Sequence, residues 1–151
     1  METGLELRHQ VCFALYTASR AMTDLYRRIL DELGLTYPQY LVLLALWERP
    51  AQPPTVTELG RALRLDSGTL SPLLKRMATT GLVRRERASQ DERQVRIHLT
   101  ADGHAMRERA AHVPFQVATA TGLTLDQLVE LRQTLTGLTE HIHATEGTRS
   151  R

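Results

Sequence analysis

Apolar residues recur along this chain at helical spacing in several blocks, and one block is amphipathic in a way that organises the rest. In Leu65 to Met77, LDSGTLSPLLKRM, the residues Leu70, Leu73, Leu74 and Met77 fall on one stripe. That is the i, i+3, i+4, i+7 spacing of a helix packed on a core. The other side carries Ser67, Gly68, Thr69, Ser71, Pro72, Lys75, Arg76 and Thr79. Small hydroxyl residues let a helix lie close to a surface and bond base edges or phosphates, and the two cations suit a phosphate backbone. A polar outer face alone is ordinary for a surface helix, so the weight of the reading lies in the neighbours.

Leu7 to Leu33 predicts a long helix, with Val11, Leu15, Ala18, Met22, Leu25, Ile29 and Leu33 three or four apart and Gly34 as its stop. Cys12, Tyr16 and Thr23 lie on the flank of that stripe, free to meet something other than this helix's own core. A second helix opens at Thr36-Tyr37-Pro38-Gln39, where Thr36 and Gln39 fit a capping box and Pro38 falls in the first turn. It runs through YLVLLALWE, apolar nearly all round and so buried. RPAQPP, Arg49 to Pro54, breaks it into an extended loop with room for a short strand. Thr57 is expected to cap a short helix, TELGRALR, with Leu59, Ala62 and Leu63 inward, and a turn at Leu65-Asp66 leads into the helix described first. This is a helix-turn-helix with its second member presented outward.

After Gly81, Leu82 to Ala88 and Gln94 to Thr100 predict two strands flanking the polar loop SQDER, Val95, Ile97 and Leu99 alternating with polar residues. A basic hairpin directly after a helix-turn-helix is a wing. Asp102 to Ala120 resumes helical spacing through Met106, Ala110, Val113 and Val117, with a kink expected at Pro114. Thr124 and Gln127 form another capping box. Leu128, Leu131, Leu135, Leu138 and Ile142 then follow in a coiled-coil-like seam, and the polar tail after His143 is expected to fray. The expected fold is mainly α with a small β wing, a single domain over 1–151. Its winged helix-turn-helix spans about 36–100, and helices at about 5–33 and 102–145 pair with those of a second copy. The simpler option, that both stripes cap their own chain's core, stays open.

Composition narrows the class only a little. A chain of 151 residues with 42% hydrophobic content can build a real core. No apolar run approaches the ~20 residues of a membrane span, and METGLELRHQ lacks a signal peptide's basic start and apolar centre, so the expectation is a cytoplasmic protein. Net charge is +2, which says little. Its distribution says more: Arg84, Arg85, Arg87, Arg93 and Arg96 crowd the hairpin against Glu86, Asp91 and Glu92, a basic ribbon for a polyanion. The lone Cys12 excludes an internal disulfide and a Cys-rich zinc site. The six histidines have no compact ligand spacing beyond a weak pair at His141 and His143, so neither metal nor cofactor is expected.

The order of elements, with LDSGTLSPLLKRMATTGLVRRER followed by DERQVRIHLTADG, resembles the MarR family of dimeric winged-helix transcriptional regulators. Asp91-x-Arg93 matches that family's wing signature, followed by the Leu99-Thr100 step. VCFALYTASRAMTDLY and TYPQYLVLLALWE further resemble the OhrR subgroup, repressors that sense organic hydroperoxides. The likeness covers nearly the whole chain. It implies that Cys12 is the reactive thiol, that Tyr26 and Tyr37 hydrogen-bond its thiolate, and that Ser67, Gly68, Thr69, Ser71, Pro72, Lys75, Arg76, Arg85, Arg87, Asp91 and Arg93 meet DNA. Tyr26 lies 14 residues from Cys12 on one helix, about 21 Å along its axis. A partner subunit must therefore supply it. Tyr16, one turn from Cys12, can contact it locally or serve only as an interface aromatic.

The resemblance implies double-stranded DNA with an inverted-repeat operator as partner, a homodimer, and an organic hydroperoxide as inducer. Some members carry a second, resolving cysteine near the C-terminus and this chain has none, so oxidised Cys12 must find a low-molecular-weight thiol. Two phenols bonding the thiolate favour its ionisation, and Phe13, Leu15 and Val42 are candidates for an apolar pocket that suits a greasy peroxide. Two rivals remain. A thiol peroxidase would need a recycling thiol, and a complete DNA-reading unit argues for a non-enzyme; a MarR-type repressor released by a small phenolic ligand would leave Cys12 incidental.

Overall fold

Seven α-helices and a two-stranded sheet make up the computed structural model, which describes residues 4–88 and 91–149 and all their side chains except those of 88, 91–93, 148 and 149. Residues up to Val113 form one compact unit and those from Pro114 on another.

The first helix, α1 (Val11–Asp31), is preceded by a 3-10 turn at Leu7–His9. Extended backbone at Gln10 separates them, so the helix expected from Leu7 starts four residues late. Its apolar stripe is the first surprise. Leu30 is the one α1 residue that is fully covered, whereas Val11 is 65% exposed and Leu15, Met22, Leu25 and Ile29 are half-buried. A stripe of this length left uncovered on a protein surface marks an interaction face.

Helix α2 (Tyr37–Glu48) is the hub. Thr36 caps it as the sequence predicts: its hydroxyl accepts from the Gln39 backbone N–H at 3.4 Å, and the Gln39 side chain accepts from the Thr36 N–H at 3.1 Å. Tyr40, Val42, Leu43, Leu46 and Trp47 are buried, so Val42 lies in this chain's own core and lines no peroxide pocket.

Helix α3 (Val56–Leu63) is capped by Thr55 rather than Thr57. The Thr55 hydroxyl accepts from the Glu58 N–H at 3.2 Å while the Glu58 carboxylate accepts from the Thr55 N–H at 2.8 Å. Thr55-x-x-Glu58 completes a reciprocal box that Thr57 has no acid to make. Leu59 points inward and Leu63 is half-buried, but Ala62, expected inside, is exposed. Thr55 also makes an isolated one-residue bridge to Arg96, and the loop Arg49 to Pro54 itself holds no strand.

Arg64, in the left-handed region at φ 54°, ends α3, and the Leu65 N–H reaches back to the Gly60 carbonyl at 2.9 Å. Asp66 then caps α4 (Ser67–Thr79), its carboxylate accepting from the Thr69 N–H at 2.7 Å. A Cβ on Gly60 would stand 2.9 Å from the Leu65 carbonyl oxygen, so glycine sets how closely the two helices turn. Leu70, Leu73, Leu74 and Met77 are all buried, as their spacing predicts.

Strands β1 (Val83–Ala88) and β2 (Asp91–Leu99) pair antiparallel, Val83 opposite Leu99 and Arg87 opposite Val95, with an irregularity before Ala88 opposite Asp91. The second strand starts at Asp91, three residues earlier than predicted. Helix α5 (Ala101–Arg109) follows, capped by Thr100. The single kinked helix expected over Asp102 to Ala120 is instead two, α5 and α6 (Val113–Thr121), with a turn at 110–112 between them. Pro114 sits in the first turn of α6, where a missing N–H costs nothing, so it starts a helix instead of bending one.

In the C-terminal unit Thr124 and Gln127 make the predicted capping box at 2.9 and 3.2 Å, and α7 runs Leu125–Arg149. The helix passes His143 without fraying. Along the seam Leu131, Leu138 and Ile142 are exposed at 40 to 46%, while Leu128 and Leu135 are half-buried.

Candidate nucleic-acid interface and thiol site

The outer face of α4 is as polar as its sequence. Ser67, Gly68, Thr69, Pro72, Lys75 and Arg76 are exposed and Ser71 is half-buried. Capped by Asp66, the helix exposes Ser67 and Gly68 in its first turn and Lys75 and Arg76 about two turns further along.

In the wing, strand alternation sorts the arginines. Arg85 lies opposite Ile97 and Arg87 opposite Val95, so both share the sheet face of buried Val83 and Ile97, which looks toward the helices. Arg85 lines a groove with Ser71 of α4 and with Thr57 and Arg61 of α3. On the other face Arg84 is held 2.7 Å from Glu86, and His98 approaches the same carboxylate oxygen at 3.1 Å. The Arg84 guanidinium, first by its hydrogen bond and then by its charge, keeps the Glu86 carboxyl below its ordinary range, with His98 adding to it. Arg96 donates to the Pro53 carbonyl at 2.9 Å. Among the described arginines of the ribbon, Arg84 and Arg96 thus have protein partners, while Arg61, overlooked in the sequence, joins Arg85 in the groove. Its signal was its place on the exposed side of α3. The side chains of Asp91 and Arg93 lie outside the described residues.

Around the thiol, the structure brings together some of the expected residues and keeps others apart. The Tyr26 and Tyr37 rings lie 4.5 Å apart between centroids, and Tyr40 stands 6.0 Å from Tyr26. Burial, helped by Tyr37 and Tyr40, pushes the Tyr26 phenol up to about 12, and burial raises Tyr37 as well. Both therefore keep their protons at neutral pH and can donate. Cys12 is exposed at the second position of α1. Because α1 is unbroken from Val11 to Asp31, the 14 residues between Cys12 and Tyr26 separate them by about 21 Å within one chain. Tyr16 is exposed, its ring 5.7 Å from the Arg20 guanidinium. Among the described residues no group of His, Cys, Asp and Glu could hold a metal ion, and no helix is long and apolar enough to cross a membrane.

A helix-turn-helix whose second helix shows a small, hydroxyl-rich and basic face, followed by a wing, is a DNA-reading unit. The family model of the SarA/Rot transcriptional regulators matches residues 24–109, which span that unit and the tyrosine cluster. The chain belongs to the MarR-like winged-helix regulators of this SarA/Rot type. It is a DNA-binding transcriptional regulator and not an enzyme. Among its relatives it is 45% identical, over 92% of its length and 93% of theirs, to the organic hydroperoxide resistance transcriptional regulator of Bacillus subtilis. Among solved structures it resembles AbfR of Staphylococcus epidermidis. Reduced AbfR bound to DNA matches with a TM-score of 0.75 at 38% identity, covering 90% of this chain and 94% of that one. Overoxidised AbfR, also bound to DNA, matches at 0.73 and 38%, with the same coverage.

Proposed function

We propose that this regulator is a homodimeric, cytoplasmic repressor that senses organic hydroperoxides through Cys12 and leaves its operator when that thiol is modified. The observation that carries the reading is the separation of Cys12 from a ready-made pair of neutral phenols, Tyr26 toward the far end of the same helix and Tyr37 packed on it from the start of α2. A second copy running antiparallel along the uncovered α1 stripe brings each Cys12 to its partner's tyrosines and buries the apolar face. The partly exposed seam of α7 offers a second copy another apolar face.

The thiolate is the nucleophile. It attacks the terminal oxygen of the hydroperoxide, the O–O bond breaks, oxygen passes to sulfur and an alcohol leaves. The resulting sulfenic acid condenses with a low-molecular-weight thiol, releasing water and leaving a mixed disulfide. Negative charge is lost and bulk is inserted between subunits, so each phenol that bonded the thiolate gives up about 1 to 3 kcal/mol. Coupling energies of about that size move ligand affinity by roughly 5- to 150-fold. On DNA, the face from Ser67 to Arg76 enters the major groove of each half of an inverted repeat, Arg85 and Arg87 approach the backbone, and Arg93, beside Asp91 near the wing tip, reaches a narrow minor groove.

The relatives support the reading. One is named for organic hydroperoxide resistance, and AbfR is known on DNA in both a reduced and an overoxidised form, which fits over-oxidation alone being insufficient for release. The test is DNA binding to the chain's own upstream region with and without cumene hydroperoxide and cysteine. Loss of binding in the wild type but not in Cys12→Ser supports the function. Loss in both would point to a ligand-binding repressor with an incidental thiol.

A further inference from the structure

We propose that Trp47 is the positioning residue through which a change at the tyrosine pair reaches the wing and the recognition helix. The inference rests on the sensor reading above and adds the group that carries its signal. Tyr40 stands 6.0 Å from Tyr26 and 6.5 Å from Trp47, whose plane it meets at 71°, so the aromatic cluster continues inward from Tyr37 to Trp47. Tyr40 and Trp47 lie seven residues apart on α2, two turns along one side, and both are buried.

At the inner end the Trp47 indole N–H donates to the Gly103 carbonyl at 2.9 Å, a buried bond across 56 residues of chain. Gly103 is the third residue of α5, just after the wing. A Cβ there would lie 2.1 Å from the Leu82 carbonyl oxygen, so the glycine is pressed directly against the peptide that leads into β1. Leu82 is a junction. The Leu82 N–H donates to the Met77 carbonyl of α4 at 3.0 Å, and the Leu82 carbonyl accepts from the Thr100 N–H at the end of β2 at 3.2 Å.

Every link from Tyr37 to Met77 is therefore ring packing, a hydrogen bond or backbone contact. Rings have few internal degrees of freedom and interiors are close-packed, so a ring displaced at the sensor moves its neighbour instead of being absorbed. The indole N–H is buried and has to keep an acceptor. When Trp47 shifts, the Gly103 carbonyl follows or the bond is lost, and either outcome changes the seat of Leu82 under the wing and α4.

Trp47 is the chain's single tryptophan, so fluorescence excited at the red edge of indole absorption, beyond that of the four tyrosines, reports it alone. The experiment records emission of the wild type and of Cys12→Ser, without DNA, before and after cumene hydroperoxide plus cysteine. It also measures the DNA affinity of Trp47→Phe in both redox states. The expected result is an emission change that requires Cys12. Trp47→Phe, which keeps a ring but loses the N–H, should bind DNA when reduced yet narrow the reduced-to-oxidised affinity ratio by about two- to tenfold, the worth of one hydrogen bond. A merely structural tryptophan would alter stability and leave that ratio alone. Unchanged emission in wild-type protein whose DNA affinity does fall, or a wild-type ratio in Trp47→Phe, overturns the proposal. If oxidation leaves wild-type affinity untouched, the sensor reading fails and this inference with it. Should Trp47→Phe not fold, the emission of the wild type decides.

Discussion

The rings of Tyr26 and Tyr37 lie 4.5 Å apart on two different helices, and burial raises the pKa of both phenols, Tyr26 to about 12. A folded-state value above the unfolded value of about 10 means that folding favours the neutral phenol. The stability this contributes is fully present below about pH 10 and is lost as pH rises through about 12. The urea midpoint of the wild type should therefore fall between those values more steeply than that of Tyr26→Phe. Parallel pH profiles for the two proteins would show that Tyr26 is not the group responsible.

Three glycines should respond to alanine in three different ways. Gly103→Ala forces a Cβ to within 2.1 Å of the Leu82 backbone oxygen and Gly60→Ala one to within 2.9 Å of that of Leu65, whereas nothing lies within 4 Å of a Cβ at Gly137 on α7. Gly103→Ala should destabilise by about 3 kcal/mol or more and Gly60→Ala by roughly 1 to 2 kcal/mol. Gly137→Ala should stabilise by about 0.5 to 1 kcal/mol through helix propensity. Chemical denaturation orders them, and a Gly103→Ala protein as stable as wild type would remove the close approach from the argument.

The two faces of the wing make adjacent arginines unequal. Arg85 opens into the groove shared with Ser71 and Arg61, while Arg84 is engaged by Glu86 on the reverse side. Arg85→Ala should weaken DNA binding and reduce the slope of log affinity against log salt by about one, the signature of a lost phosphate contact. Arg84→Ala should leave the slope near that of wild type. Equal slopes for the two variants would mean that strand alternation does not decide which arginine meets DNA.

Local chemistry was legible in the sequence, and long-range contact was not. The boxes at Thr36 and Gln39 and at Thr124 and Gln127, the inner stripe of α4 and the hairpin after Gly81 each follow from residues a few positions apart. Thr57 misled because it stands immediately before Glu58, but the reciprocal box pairs residues three positions apart and therefore needs Thr55. The apolar spacing through Met106, Ala110 and Val113 continues unbroken across a chain that stops and restarts its helix, because periodicity marks a buried face without marking a break. Tyr40 and Trp47 were visible only as members of an all-apolar helix. Their link to Gly103 joins positions 56 residues apart, a distance over which no local pattern speaks.

The last prediction separates a site built within one chain from a site built between two. In Cys12→Ser the thiol is gone, and in a Tyr26→Phe, Tyr37→Phe chain the thiol remains without its donors, so each homodimer should react slowly or not at all with organic hydroperoxide. A mixed dimer of these two chains holds one dead site, with serine facing two phenylalanines, and one intact site, with the cysteine of the second chain facing the tyrosines of the first. Co-refolding them, with the two chains tagged differently for purification, should restore fast reaction at half of the wild-type capacity per dimer. The restored thiol should be found by mass spectrometry on the chain that lacks the tyrosines, as a mixed disulfide when cysteine is present. A geometry in which Cys12 uses its own chain's tyrosines forbids this rescue, since the only cysteine in the mixed dimer sits beside phenylalanine in its own chain. The 14 residues of unbroken helix between Cys12 and Tyr26 argue for rescue, and a mixed dimer no faster than its parents would rule out the inter-subunit site.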